Sequence, residues 1–155
     1  MIQPLHFSKM NKLFFVAFLT LLFIYSSFTN KNSEKEIDKL LLDSNSKFVE
    51  INLYESLKLA DKALLLSKEK DYENGIIKSN IYIAKVFNQL GIYEKAFEYL
   101  EEADKINSNI DLTMKVESYR LRGIIFGNLD INAIALDEFR KQLKLSSKIK
   151  NEKKQ

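Results

Sequence analysis

Along residues 30–155 apolar side chains recur at helical spacing, and this periodicity predicts six helices at approximately 34–49, 52–69, 72–90, 93–107, 111–128 and 132–150. The connections between them are short, which makes neighbouring helices antiparallel and groups them into hairpins. Asp71 and Asp111 stand at the predicted starts of the third and fifth helices, where a short carboxylate accepts orphan amide hydrogens as an N-cap. Ahead of this region the pattern changes. Leu13 to Tyr25 is a nearly unbroken apolar run, and Asn30-Lys31-Asn32-Ser33 reads as a polar tether at residues 30–33.

The second and third predicted hairpins repeat one another. Ile83-Ala84, Phe87, Leu90-Gly91, Ala96, Leu100 and Ala103 recur 39 residues later as Arg122-Gly123, Phe126, Leu129-Asp130, Ala135, Phe139 and Gln142. Self-similarity at such a period indicates stacked helical hairpins, because one hairpin cannot bury its own apolar face and neighbours must cover it. In the second hairpin the residue types account for their spacing. Small Ala84, Ala96 and Ala103 let two backbones approach, while Ile83, Phe87, Leu90, Phe97 and Leu100 fill the space around them. Gly91 is placed to close the first helix in the left-handed conformation.

Residues Tyr82 through Ile106 resemble a tetratricopeptide repeat. Small residues at Ala84, Ala96 and Ala103, the turn glycine at Gly91 and the aromatic at Tyr93 all match that family's pattern. The third hairpin is similar, with Tyr119, Gly123, Phe126, Ala135 and Phe139 at matching positions, although Asp130 replaces the turn glycine and Gln142 the final alanine. The first is the weakest match: Ala63 and Ser56 correspond to Ala103 and Ala96, and Asp43-Ser44 fits loosely. The period of 39 to 40 residues exceeds the family's usual spacing and the repeat-ending proline is absent, as in long variant repeats of bacterial regulatory and sensor proteins. The resemblance implies an all-α chain, with antiparallel hairpins stacked as a short right-handed solenoid of about three repeats and six helices over residues 34–150.

It also implies a groove lined by the first helix of each hairpin. Carried across by register, the lining is Lys78, Ile81, Lys85, Asn88 and Gln89 from the second repeat, and Glu117, Arg120, Ile124 and Asn128 from the third. Cations, amides and two isoleucines in that arrangement can grip an extended peptide, or a terminal carboxylate, while apolar side chains dock. The same charges also read as a solvated helix face neutralised by Glu117 and its neighbours. The sixth helix offers Ala135, Leu136, Phe139, Leu143 and Ile149 at helical spacings, and Phe139 with Leu143 are expected on an uncapped end face open to a partner or a second copy.

Charge changes the picture once the N-terminus is set aside. Lys9 and Lys12 before the apolar run, and Ser26-Ser27-Phe28-Thr29 after it, make residues 1–29 a signal peptide, or a membrane anchor seated at residues 13–28. Removing them takes away two lysines and no acid, leaving 22 basic against 21 acidic side chains. A near-neutral domain gives no footprint for nucleic acid. The lysines from Arg140-Lys141 to the tail at residues 151–155 suit the C-terminal end of a helix dipole, or a phosphate- or membrane-facing tail.

Chemistry is easier to exclude. The one histidine, His6, lies in the leader and the chain has no cysteine, so Cys/His zinc sites, thiol nucleophiles and Ser-His-Asp triads have no residues to use within the domain. Glu101-Glu102, and Glu34 with Glu36, are too close in sequence to face each other on a helix. No cofactor, metal or enzymatic activity is expected. Two functions remain: an exported scaffold, periplasmic, secreted or membrane-anchored, that binds a peptide or protein and can self-associate through its C-terminal hairpin; or the truncated extracytoplasmic sensory arm of a membrane-bound tetratricopeptide transcriptional regulator.

Overall fold

A computed structural model of the chain describes residues 9–106 and 112–152, with side chains placed at 16–22 and from 31 onward. The chain is all-α. Six helices are described: α1 (Lys9–Val49), α2 (Leu53–Glu69), α3 (Glu73–Gln89), α4 (Tyr93–Asp104), α5 (Leu112–Asn128) and α6 (Asn132–Glu152). Five match the periodicity within a few residues. The departure is at α1, which runs unbroken through residues 30–33, so the expected tether is helix. Asn30-Lys31-Asn32-Ser33 contains neither Gly nor Pro, and polar side chains such as the exposed Lys31 and Asn32 are compatible with a solvated helix surface. Val16, Phe18, Leu19, Leu21 and Leu22 are exposed on the same helix, and no helix among the described residues is long and apolar enough to cross a membrane. His6, Asp111 and Lys153-Lys154 lie outside the described residues, as do the side chains of Leu13 to Phe15 and of Phe23 to Asn30.

Helices pack in chain order as hairpins α1–α2, α3–α4 and α5–α6. The first helix of each later hairpin also lies against both helices of the hairpin before it: α3 on α1 and α2, α5 on α3 and α4. The repeat distance of the sequence is therefore a contact distance in space. Lys78 bonds Asp38 and Lys85 bonds Asn45, each pair 40 residues apart. Being covered on several sides, α3 carries the widest apolar face. Ile77, Ile81 and Ala84 join Ala96, Leu100, Ala103, Leu121 and Ile125 in the main core, and each fully buried Ile or Leu there contributes roughly 1.5–3 kcal/mol. Phe97 of α4 meets Phe126 of α5 at 4.8 Å between ring centroids, and Phe87 stacks on Tyr99 at 5.6 Å. Leu90, expected as core, is half exposed because it caps the end of α3.

Small residues occupy the helix crossings. Ala84 and Ala96 are fully buried in the second hairpin. The weakly matching first hairpin obeys the same rule: Ser44 and Ser56 are buried, and each hydroxyl donates to the other's carbonyl oxygen, at 2.8 and 2.9 Å. In the third, the ring of Phe139 covers Gly123, where an added Cβ would lie 2.7 to 2.9 Å from ring atoms. A fourth close approach joins consecutive hairpins, with Gly75 against the Ser67 hydroxyl and the Tyr72 ring.

Four turns share one backbone geometry. Ile51, Asp71, Gly91 and Asp130 have φ of 61°, 51°, 74° and 58°. In each, the amide of the following residue bonds a carbonyl five residues back, as Ile92 does to Phe87 at 2.9 Å and Ile131 to Phe126 at 2.9 Å. This is the Schellman closure, which satisfies helix-end carbonyls and requires a left-handed residue. It also corrects the expected cap at Asp71. That residue closes α2 in the left-handed conformation, while Tyr72 precedes α3 without a side-chain cap bond. The side-chain cap lies instead at Asn52, which accepts from the Glu55 amide at 3.3 Å.

Candidate functional site

The face formed by α1, α3 and α5 carries eight of the nine residues assigned to the groove, all but Ile81, and divides them into two sets. Toward its middle the polar groups are engaged with one another. Lys78 reaches Asp38 at 3.0 Å; burial depresses its ammonium, but the bond to Asp38 and that carboxylate's charge outweigh this and leave its pKa raised. Lys85 donates to Asn45 at 3.2 Å, lies 3.8 Å from Glu117, and sits over the rings of Phe48 and Tyr82 at 5.0 and 5.2 Å. Burial pushes the Lys85 ammonium below its ordinary range, since aromatic rings and one amide replace hydration incompletely.

Glu117 accepts two bonds from Arg120, at 2.8 and 2.6 Å, in the forked geometry that suits guanidinium to carboxylate. Those bonds hold the Glu117 carboxyl below the usual carboxylate range and raise Arg120 in turn. Ile81 is 1% exposed and belongs to the core rather than to the groove. Being close to α1, α4 and α5 together, α3 has no free apolar face at that point. The middle of the face thus binds itself.

The second set lies one turn further along, where α3 and α5 end. Asn88, Gln89, Ile124 and Asn128 line an open cleft of about 560 Å³, completed by Leu90, Gly91 and Tyr93 of the α3–α4 turn. The helix registers bring them together. Asn88 and Gln89 form the last turn of α3 and Asn128 the last residue of α5, so the Schellman turns that end both helices leave amide side chains facing one opening. Three carboxamides supply donors and acceptors without charge, the complement of an extended peptide backbone. The Asn88 Oδ1 atom is buried and has no hydrogen-bond partner among the described residues, an unpaired acceptor that costs free energy until something donates to it. Tyr93, recognised in the sequence only as a repeat position, is a wall of this cleft. Its role there had no sequence signal apart from its place two residues after Gly91.

The expected end face divides as well. Leu143 is 67% exposed on α6, but Phe139 turns inward onto Gly123 and is half-buried within the third hairpin. The correction has a steric cause: the space that Gly123 leaves over α5 accepts an aromatic ring from α6. Among the described residues no group of three or more Asp, Glu, His or Cys side chains converges as a metal site would require. No protein-family model matches the chain, and neither a curated protein nor a solved structure matches it.

Proposed function

We propose that this chain is a non-catalytic interaction scaffold of tetratricopeptide-like hairpins that holds an extended segment of a peptide or protein partner. On this reading residues 1–29 export it, or anchor it, outside the cytoplasmic membrane. The observation that carries the reading is the amide cleft: Asn88, Gln89 and Asn128 converge from two neighbouring hairpins, and the Asn88 oxygen is buried without a donor. Turning the Asn88 carboxamide outward would let a peptide amide complete its hydrogen bonding beside the exposed Gln89 and Asn128, and Ile124 with Leu90 would receive an apolar side chain. The absence of imidazole and thiol from residues 9–155 argues against nucleophilic or general-base chemistry by those groups.

The test separates binding from folding. Asn88→Ala removes an unpaired buried acceptor, so it should leave thermal stability unchanged or slightly raised, while loss of the bond to a ligand should weaken binding by about tenfold. Binding is measured with the purified full chain against a library of extended peptides, with Asn128→Ala as the second variant. Peptide binding indifferent to both substitutions, or reproducible turnover of a substrate by the purified chain, would remove the basis of this reading.

A further inference from the structure

A second opening lies between α5 and α6, away from the amide cleft. Its volume is about 340 Å³. The floor is apolar, made by Leu112 and Tyr119 of α5 and Leu145 of α6. The rim is basic: Lys115 stands on one side, with Lys141, Lys144 and Lys148 on the other, and no carboxylate lines it. Lys141 is held by Asp137 and Glu138, both at 2.8 Å, and Lys148 approaches Glu152 at 3.8 Å. Lys115 and Lys144 form no ion pair among the described residues.

Position explains what such an opening is for. The grooves of the two earlier hairpins are each occupied by a helix, α3 over α1 and α2, and α5 over α3 and α4. The α5–α6 groove is the third in that series, and among the described residues nothing lies over it. Leu145 stands 39 residues after Ile106, a residue that joins the main core together with Met114 of the covering helix α5. The covering helix also brings a charge, since Arg122 of α5 pairs with Asp104 of α4 at 2.7 Å. In the third groove that acid is missing: Leu143 stands at the register of Asp104, Lys144 repeats Lys105, Glu102 has become Lys141, and lysines border the floor on both sides.

We propose that the α5–α6 groove docks an amphipathic helix of a partner protein, its apolar stripe on Leu112, Tyr119 and Leu145 and its flanking Asp or Glu side chains on Lys115 and Lys144. This rests on the scaffold reading and adds to it the class of partner and a second place on the molecule. The docked helix takes the place over α5 and α6 that α3 and α5 hold over the earlier hairpins. Complementary charge sets its orientation and discriminates against basic helices.

The experiment uses the full chain and two labelled helical peptides of identical leucine and alanine pattern, one with glutamates beside the leucine stripe and one with lysines in their place. Anisotropy should report binding of the acidic peptide alone. Lys115→Glu with Lys144→Glu, both exposed and so without consequence for folding, should weaken it by about tenfold and admit the lysine peptide. Leu145→Asp should abolish binding, with circular dichroism to check that the helices remain. Equal binding of both peptides, acidic binding untouched by the lysine reversal, or self-association of the full chain lost in the same variant would each overturn the proposal, the last assigning the groove to a second copy. Extended peptides that still depend on Asn88 while the acidic helix fails would leave the scaffold reading standing and this one refuted; failure of both probes would refute both.

Discussion

Where α1 meets α2, Ser44 and Ser56 exchange hydroxyl-to-carbonyl bonds of 2.8 and 2.9 Å. At the equivalent positions of the third hairpin stand Gly123 and Ala135, both buried, and the room over the glycine is filled by the ring of Phe139. One close approach is held by a polar exchange that fixes register, the other by an aromatic ring in a steric notch. Between them, Ala84 and Ala96 use neither. What the architecture requires at this point is therefore smallness, and each hairpin supplies its specificity by a different interaction. A motif scored by residue identity underrates the first hairpin for that reason.

The largest expected effect breaks the steric solution. Gly123→Ala should lower stability by about 2 kcal/mol, because the new methyl meets the Phe139 ring well inside van der Waals contact and displaces it. The sign is informative, since alanine is ordinarily the better helix former by about 1 kcal/mol. Gly127, on the same helix, has nothing within 4 Å of an added Cβ, and Gly127→Ala should gain about that amount. Urea denaturation of both variants decides the matter: a gain at Gly123 would mean that the ring yields freely and the notch specifies nothing.

Next come the turns, which share a backbone geometry with unlike residues. Ile51 is β-branched at a φ of 61°, a conformation that costs an L-residue roughly 1–2 kcal/mol, whereas Gly91 holds 74° without penalty. Ile51→Gly should therefore stabilise by about 1 kcal/mol and Gly91→Ala destabilise by about as much, read as opposite shifts in the denaturation midpoint. Ile51 is 75% exposed, so little burial is lost in the exchange.

The polar crossing yields a smaller effect of distinct form. Ser44→Ala and Ser56→Ala should each cost about 1 kcal/mol, one hydroxyl-to-carbonyl bond apiece. The double variant recreates the alanine pair of the second hairpin and should cost clearly less than the sum. Strict additivity across this cycle would show that the two bonds act independently and that register is set elsewhere.

Much of this architecture was legible in the chain. Helix periodicity located five helices and the end of the first, and Gly91 announced its turn, because both signals are local. Ser44 was obscured because a small polar residue carries no periodic signature, and only the partner twelve residues away reveals its use. Asp71 was misread for a related reason: aspartate suits an N-cap and a left-handed helix closure alike, and the fold of α2 decides between them. The groove was half legible. Register placed eight of the nine residues on one face and missed only that Ile81 is core, but whether a cation there is open or engaged depends on the helix beside it, as Asp38 decides for Lys78.

That dependence extends the comparison to charge, at the smallest expected magnitude. The α1–α3 contact is spanned by Lys78 and Asp38 across 40 residues, while α5 keeps its strongest pair within one turn, Arg120 to Glu117. The Arg120 bonds hold Glu117 below its ordinary value of 4.5, so the folded state gains from its ionisation above that pH and loses the gain as pH falls through the lowered value. Lys85 titrates in the opposite sense: burial lowers its ammonium, so its charged form costs the fold something at neutral pH and the cost disappears as pH rises into the ordinary lysine range. Glu117→Gln should flatten the acid limb of the stability profile below about pH 4.5, by less than about 1 kcal/mol for a pair still partly open to water. Lys85→Met should leave that limb nearly intact, because Arg120 remains as the main partner of the carboxylate. An acid limb that follows Lys85 instead would make the contact between hairpins, rather than the turn within α5, the source of the carboxylate's stabilisation.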